Sequence, residues 1–152
     1  MYPVTLCLER VRCLVVGGGE VALRKAEGLL KEAADVTVVA PAVVPALARL
    51  VAEDRLAWRQ RAYEKGEASG YRLVLAATDD REVNRGVRDD AEGAGLWVNV
   101  ADDPELCTFH LPARVERGTL QIAISSGGGA PFVVRRLREL LERWLDPGWT
   151  AW

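Results

Sequence analysis

Short apolar runs alternate with amphipathic segments over the first two thirds of the chain. The runs are continuous and rich in valine and leucine, and they predict strands at residues 12–16, 36–39, 56–58, 73–77 and 96–100. Between them, apolar residues recur at helical spacing, which predicts helices at residues 20–31, 43–51 and 80–94. Continuous apolar strands are typical of parallel sheets that are covered on both faces. The pattern therefore predicts an α/β fold with a doubly wound parallel sheet.

The pattern changes in the last third of the chain. Residues 120–124 alternate between large apolar side chains and polar or small ones, which predicts a half-buried antiparallel strand that pairs with residues 114–116. Three glycines follow, and Pro131 suits the first turn of a helix whose apolar positions recur as far as Trp144. We expect this helix to end by residues 146–148, which read Asp-Pro-Gly.

This C-terminal strand-and-helix segment is too small to bury its own apolar face. A second copy of the chain would cover that face, so we expect a homodimer. We divide the chain into a doubly wound domain, residues 1–112, and a small α+β dimerisation segment, residues 113–152.

Composition indicates a soluble protein of one compact domain with a short appendage. The chain has 152 residues, of which 49% are hydrophobic, and its apolar runs are too short to span a bilayer. Charges at Glu9 and Arg10 interrupt the stretch where a signal peptide needs apolar residues. We expect a cytoplasmic protein that does not bind membranes.

Cysteine and histidine usage argues against several kinds of site. The three cysteines (7, 13 and 107) lack CxxC spacing, and His110 is the single histidine. This set does not fit a disulfide framework, a zinc site or a Ser-His-Asp triad. We expect three ordinary, buried thiols and no metal site.

The net charge of −2 is unevenly distributed. Residues 113–152 hold six arginines and four acids, a balance of +2, which leaves −4 for the rest of the chain. A locally basic segment in an acidic protein suggests an anionic ligand rather than nucleic acid. A solvated helix face with Arg–Glu pairs is the alternative, and charge alone favours it.

The first glycine turn (residues 17–19) fits the pattern G-x-G-x-x-A with Gly17, Gly19 and Ala22. It follows a predicted strand and opens a predicted helix, which is the context of a Rossmann-type dinucleotide site. Its backbone N–H groups and the helix N-terminus would bind a pyrophosphate. A glycine turn that binds nothing is the alternative.

The end of the second predicted strand does not distinguish NAD from NADP. The acid that usually binds the ribose hydroxyls there is absent, because the strand runs into Ala40, Pro41 and Ala42. No arginine stands at this corner to favour a 2′-phosphate.

Polar residues also follow the fourth and fifth predicted strands, at the edge where ligands bind in open parallel sheets. Thr78 lies where it could contact a cofactor, and Asp80 is expected to cap the next helix. Asp102 lies near the same edge. A simple acidic turn at residues 102–104 is an equal alternative to a functional role.

The second glycine turn (residues 127–129) ends a predicted strand and opens the last helix. Ser126 precedes it, and arginines follow it at positions 135, 136 and 138. Free backbone N–H groups, a helix N-terminus and arginines together favour an anion-binding site.

These four motifs, in this order, resemble the siroheme synthase N-terminal family, which includes the precorrin-2 dehydrogenases. The matching stretches are GGGEVALRKAEGLL at 17–30, AATDDREVN at 76–84 and VNVADDPELCTFHLPARVERGTLQIAISSGGGAP at 98–131. The resemblance implies oxidation of precorrin-2, a tetrapyrrole, to sirohydrochlorin with NAD as cofactor. It also implies a homodimer and, in some members, insertion of Fe2+ to give siroheme.

The resemblance also implies roles for individual residues. Asp102, rather than Asp103, takes the catalytic position. Cofactor contacts map onto the first glycine turn and nearby residues, namely Gly17, Gly18, Gly19, Glu20, Val21, Pro41, Ala42 and Thr78. Substrate contacts map onto Ser126, Gly127, Gly128 and Arg135. The serine at position 126 is phosphorylated in some relatives.

The residues agree with this chemistry. Precorrin-2 carries eight carboxylates, which the arginines of the C-terminal segment would suit. Its oxidation delivers a hydride to NAD+ and a proton to a base, and Asp102 is a candidate for that base or for an electrostatic partner.

Two departures from the family keep alternatives open. The sequence stops before the methyltransferase module of the fused enzymes and before the helical tail of many members. We therefore keep two alternatives to a simple dehydrogenase: a dehydrogenase that is also a ferrochelatase, and a non-catalytic NAD- or tetrapyrrole-binding module.

His110 stands where relatives usually carry an apolar residue. We expect it to be a satisfied structural histidine, with an iron ligand or proton acceptor as the alternative.

Overall fold

The computed structural model describes residues 1–145. These residues form two compact units, each of which is described by itself. One unit is Val4–His110, and the other joins Met1–Pro3 to the chain from Leu111 onward.

The unit Val4–His110 is a five-stranded parallel sheet with helices between the strands. Its strands are β1 (Arg12–Val16), β2 (Asp35–Val39), β3 (Ala57–Arg59), β4 (Leu73–Ala76) and β5 (Trp97–Val100), and its helices are α1 (Glu20–Lys31), α2 (Pro45–Ala52) and α3 (Arg81–Gly93). The strand order is β3-β2-β1-β4-β5, and every neighbouring pair is parallel. The predicted α/β, Rossmann-type class is confirmed. Two short 3₁₀ helices, Glu67–Gly70 and Pro104–Leu106, were not predicted.

Each face of this sheet has its own apolar core. Along β1, Cys13 and Val15 pack into the core that α1 and α2 cover, whereas Leu14 and Val16 pack into the core that α3 covers. These four residues are at most 1% exposed. A fully buried valine or leucine contributes about 1.5–3 kcal/mol, so a central strand needs apolar residues on both faces. This double burial explains why the predicted strands are continuous apolar runs.

The predicted start of α2 at residue 43 is wrong, because the helix begins at Pro45. Val44 is extended, with φ −63° and ψ 152°, and serves as the N-cap. The ring of a proline disfavours helical backbone in the residue before it, which is the physical reason for the later start. The third strand is likewise one residue later than predicted, at Ala57–Arg59.

The expectation of three buried thiols holds only for Cys13. Cys7 is exposed because it lies before β1 and outside both cores, and Cys107 is partly exposed. All three thiols are free. Burial raises the pKa of the Cys13 thiol to about 11, and the nearby charge of Asp35 acts in the same direction.

The C-terminal unit contains the predicted hairpin and helix. Strands β6 (Ala113–Arg117) and β7 (Leu120–Ile124) pair antiparallel, and helix α4 (Pro131–Trp144) follows. The Arg117 guanidinium donates hydrogen bonds to the carbonyl oxygens of Leu145 at 2.7 Å and Glu142 at 2.8 Å. These bonds attach the end of α4 to the hairpin. The predicted helix stop at residues 146–148 lies outside the described residues.

An apolar face of α4 remains exposed. It presents Val133, Leu137, Leu140 and Trp144, each 43–68% exposed. Within residues 1–145, no helix is both long and apolar enough to cross a membrane.

Candidate functional site

The first glycine turn is packed tightly against the backbone at two of its three positions. A Cβ on Gly17 would lie 2.3 Å from the carbonyl oxygen of Ala77, and the φ of Gly17 is +126°. A Cβ on Gly18 would lie only 1.9 Å from the carbonyl oxygen of Ala42. Both positions therefore require glycine. The sequence pattern left position 18 variable, so this requirement appears only in the structure.

Gly19 differs from its neighbours because a Cβ there would meet no atom within 4 Å. It is the N-cap of α1 and offers no side-chain oxygen to the first N–H groups of the helix. Glu20 is exposed in the first turn, and Ala22 is fully buried where α1 approaches the sheet. The start of α1 thus has open space beside N–H groups that suit an anion.

A cleft of about 790 Å³ lies between the first turn of α1 and the carboxyl ends of β4 and β5. The chain runs from β1 to β2 and β3 on one side of this point and to β4 and β5 on the other. Such a topological switch point is where ligands bind in open α/β sheets. The cleft is lined by Val21, Ala77, Thr78, Asp79, Arg81, Asn84, Val100, Ala101, Asp102, Asp103, Pro104 and Glu105. Of the residues singled out from the sequence, it brings together Val21, Thr78 and Asp102.

Pro41 and Ala42 do not line this cleft. Both are exposed after the end of β2, where the carbonyl group of Ala42 packs against Gly18. They lie on the side of the first glycine turn where a ribose lies in dinucleotide-binding folds.

The Thr78 hydroxyl forms a hydrogen bond with Asn84, a residue that was not predicted from the sequence to belong to the site. It donates to Asn84 Oδ1 at 2.8 Å, and Asn84 Nδ2 donates to the Thr78 carbonyl oxygen at 2.9 Å. Asn84 is 6% exposed, on the buried face of α3 with Val87 and Ala91. A polar residue within that apolar stripe was the available signal. Thr78 therefore helps to shape the wall of the cleft.

Asp80 caps α3, as expected. Its carboxylate accepts hydrogen bonds from the backbone N–H groups of Glu82 at 2.9 Å and Val83 at 3.2 Å.

The two adjacent acids after β5 have different environments. Asp103 forms an ion pair with Arg81, with 3.0 Å between Asp103 Oδ2 and Arg81 Nη2, and the Asp103 side chain is 16% exposed. Asp102 is exposed, has a left-handed φ of 59°, and forms no hydrogen bond or ion pair with another residue in the described part of the chain. Aspartate tolerates this backbone conformation better than most residues. Asp102 is thus the acid whose carboxylate remains available in the cleft.

Lys25, on α1, was also missed by the sequence reasoning. Its ammonium group donates a 2.6 Å hydrogen bond to Asn99 Oδ1 on β5. Burial lowers the pKa of Lys25, an effect that Arg24 reinforces and that Cys107 and Asp102 oppose. Seventy-four residues separate Lys25 from Asn99, so no local pattern could indicate their contact.

The second glycine turn and its arginines belong to the C-terminal unit. Ser126, Gly127 and Gly128 are exposed, and the Ser126 hydroxyl accepts a hydrogen bond from the N–H of Ala130 at 3.0 Å. Gly127 and Gly128 have φ values of +67° and +85°, which favour glycine.

The arginines of α4 form the Arg–Glu pairs that charge alone favoured. Arg135 and Arg136 pair with Glu139 at 3.2 and 3.5 Å, and Arg138 pairs with Glu142 at 2.9 Å. Hydrogen bonding from Arg135 lowers the pKa of Glu139, despite the opposing effect of desolvation. Exposed pairs of this kind contribute little to stability, so Arg135 can exchange Glu139 for a ligand at low cost.

His110 is exposed rather than held within a core. Among residues 1–145, no group of three or more histidine, cysteine or acidic side chains is arranged to hold a metal ion.

Comparison with known proteins gives two family matches. Residues 4–113 match a family described as "Putative NAD(P)-binding", and residues 117–143 match one described as "Sirohaem biosynthesis protein central".

Curated relatives and a solved structure point in the same direction. The chain is 48% identical to a siroheme synthase of Methylobacillus flagellatus over 92% of its length, and 45% identical to one of Chromobacterium violaceum over 97%. It spans only 30% and 32% of those relatives. The structure of SirC, a precorrin-2 dehydrogenase, matches with a TM-score of 0.86 and 33% identity, covering 99% of this chain and 74% of SirC.

Proposed function

The chain belongs to the precorrin-2 dehydrogenase and siroheme synthase N-terminal family, and we propose that it oxidises precorrin-2 to sirohydrochlorin with NAD+ as oxidant. The observation that carries the proposal is the cleft at the switch point. The first glycine turn precedes Val21 on one wall of the cleft, and the unpaired carboxylate of Asp102 lies on another.

The first glycine turn fits the pyrophosphate of a dinucleotide. Gly17 and Gly18 fix the turn against Ala77 and Ala42, and Gly19 leaves room for the phosphates. Glu20 and Val21 begin α1, and their backbone N–H groups would bind the pyrophosphate. Pro41 and Ala42, beside Gly18, would contact the ribose of a bound dinucleotide, and Thr78 would line the cleft that takes the rest of the cofactor. When bound, NAD+ supplies the hydride acceptor.

Asp102 acts on the proton that leaves with the hydride. Precorrin-2 and NAD+ give sirohydrochlorin, NADH and one proton, so a base near the macrocycle assists the reaction. An Asp102 carboxylate oxygen accepts that proton, because the neighbouring Asp103 is held by Arg81. The same carboxylate stabilises positive charge that develops on the macrocycle.

The second glycine turn binds the anionic periphery of the substrate. Ser126, Gly127 and Gly128 are exposed, and the Gly128 N–H and the Ser126 hydroxyl suit a carboxylate, which would join Ser125 Oγ as a partner of the Gly127 N–H. Arg135 is 77% exposed at its side chain and offers a planar pair of donors. Precorrin-2 carries several such carboxylates.

A homodimer covers the apolar face of α4. Val133, Leu137, Leu140 and Trp144 lie at spacings of three to four residues, which places them along one side of the helix. A self-complementary contact between two copies would bury all four. The three free thiols suit a reducing compartment, so we place the protein in the cytoplasm.

A second activity follows from the same free carboxylate. Insertion of Fe2+ into sirohydrochlorin releases protons from pyrrole nitrogens, and Asp102 is available to accept them. Siroheme formation without NAD+, lost in Asp102→Asn, would support it. Formation at the non-enzymatic rate by the wild-type protein would exclude it.

The experiment compares Asp102→Asn with Asp103→Asn in anaerobic turnover of precorrin-2. We expect Asp102→Asn to lower kcat by about 10²-fold or more. Asp103→Asn removes only a partner of Arg81 and should stay within a few-fold of wild type. Equal losses in the two variants, or none in Asp102→Asn, would contradict the assigned role.

A further inference from the structure

Lys25 connects three parts of the larger unit through one neighbour. Its ammonium group bonds to Asn99 Oδ1 at 2.6 Å, and Asn99 Nδ2 donates to the carbonyl oxygen of Phe109 at 3.0 Å. Asn99 is 8% exposed. Helix α1, strand β5 and the segment that returns after Asp102 are therefore joined at this point.

The segment between Asn99 and Phe109 is the turn that carries Asp102. It is closed at its base by Cys107, whose sulfur accepts a hydrogen bond from the N–H of Val100 at 3.2 Å and lies 3.3 Å from the carbonyl oxygen of Asp103. Asn99 Nδ2 also approaches the Cys107 sulfur at 3.5 Å. The orientation of the Asn99 amide thus determines the contacts of its Nδ2 with the Phe109 carbonyl oxygen and the Cys107 sulfur. The hydrogen bond from Lys25 fixes that orientation.

A lysine is a costly choice for this contact if the contact is only structural. No carboxylate forms an ion pair with Lys25 within residues 1–145, and burial disfavours its charge. A neutral donor would hold Asn99 without this cost. What the charge does contribute is attraction to Asp102, which lies on the turn and opposes the effect of burial on the pKa of Lys25.

We propose that Lys25 is a positioning residue, which holds Asn99 and thereby fixes the Asp102 turn relative to the helix that begins at the first glycine turn. The proposal rests on the proposed dehydrogenase function, because that function places the cofactor at the start of α1 and the reacting carboxylate at Asp102. A displacement of about 1 Å between reacting groups can lower a rate about 10²-fold.

The test uses Lys25→Met, Lys25→Arg and a matched control, Lys31→Met, which removes an exposed lysine from the same helix. Amide hydrogen exchange is measured by mass spectrometry on the full chain with saturating NAD+. We expect Lys25→Met to raise exchange at residues 101–107 by about ten-fold, with the strands of the sheet unchanged. Lys25→Arg and Lys31→Met should exchange as the wild type does.

Kinetics then separate positioning from general stability. We expect Lys25→Met to lower kcat for precorrin-2 at least ten-fold with KM for NAD+ within two-fold, and Lys25→Arg to restore kcat. Wild-type exchange in Lys25→Met, or increased exchange with an unchanged kcat, would overturn the proposal. If the wild-type protein does not oxidise precorrin-2, the proposed function fails, and increased exchange confined to residues 101–107 still supports the structural half of this inference.

Discussion

Exchanging single glycines of the first glycine turn separates packing from cofactor binding. Gly18→Ala places a methyl group 1.9 Å from the carbonyl oxygen of Ala42, whereas ordinary contacts begin near 3.4 Å. The backbone must open by about 1.5 Å, the difference between these distances. Gly19→Ala adds the same methyl group where no atom lies within 4 Å.

The two changes should therefore differ in stability. Overpacking usually costs about 1–3 kcal/mol, and a backbone carbonyl cannot rotate away as a side chain can, so we expect about 3 kcal/mol for Gly18→Ala. In a domain of this size that lowers Tm by about 6–12 °C. Gly19→Ala replaces a glycine N-cap with a poorer one, which costs about 0.5–1 kcal/mol.

Gly19→Ala, the variant with the smaller loss of stability, should weaken cofactor binding. The methyl group of Gly19→Ala occupies the space that we assign to the pyrophosphate, so Kd for NAD+ should rise at least ten-fold, about 1.4 kcal/mol. Thermal unfolding followed by circular dichroism and calorimetric titration with NAD+ measure the two effects separately. Wild-type NAD+ affinity in Gly19→Ala would refute the assignment of the turn. Wild-type Tm in Gly18→Ala would refute the packing argument.

Three further predictions concern other parts of the chain. The folded state favours the protonated Cys13 thiol, because its pKa there is about 11 against an ordinary value of 9.0. The stabilisation of the folded state by this protonated thiol is fully present below about pH 9 and is lost as the pH rises toward 11. Denaturant unfolding should show a loss of about 2–3 kcal/mol over that range that is missing in Cys13→Ala and retained in Cys7→Ala; equal losses in both variants would contradict this. Asn84→Ala leaves the Thr78 backbone groups without their partner and should lower the free energy of unfolding by about 1–3 kcal/mol, whereas Arg85→Ala, at an exposed position of the same helix, should change it by less than about 0.5 kcal/mol. Leu137→Asp should convert the dimer to a monomer in sedimentation, whereas Arg136→Asp should not; a monomeric wild-type protein would contradict the proposed α4 interface.

The parts of the fold that were predictable are those with a local pattern. Strand β4 is a run of four fully buried residues, and such a run can be recognised without knowing its neighbours. The G-x-G-x-x-A pattern similarly located the turn between β1 and α1. The start of α2 was missed although its cause, Pro45, is also local.

The parts of the site that were not predictable depend on long-range packing. Gly18 needs to be glycine because Ala42 approaches it from beyond β2, and Lys25 meets Asn99 from another element. The difference between Asp102 and Asp103 depends on where Arg81 projects from α3. Side-chain contacts of this kind exist only once the sheet has formed, so composition and spacing do not reveal them.

We propose that this chain itself couples precorrin-2 oxidation to NAD+ reduction. The most direct measurement is anaerobic mixing of the purified protein with NAD+ and freshly generated precorrin-2, following NADH and sirohydrochlorin by absorbance at the same time. We predict equal amounts of both products, formed at an enzymatic rate. Binding of NAD+ without either product would contradict the claim and would favour a non-catalytic NAD- or tetrapyrrole-binding module instead.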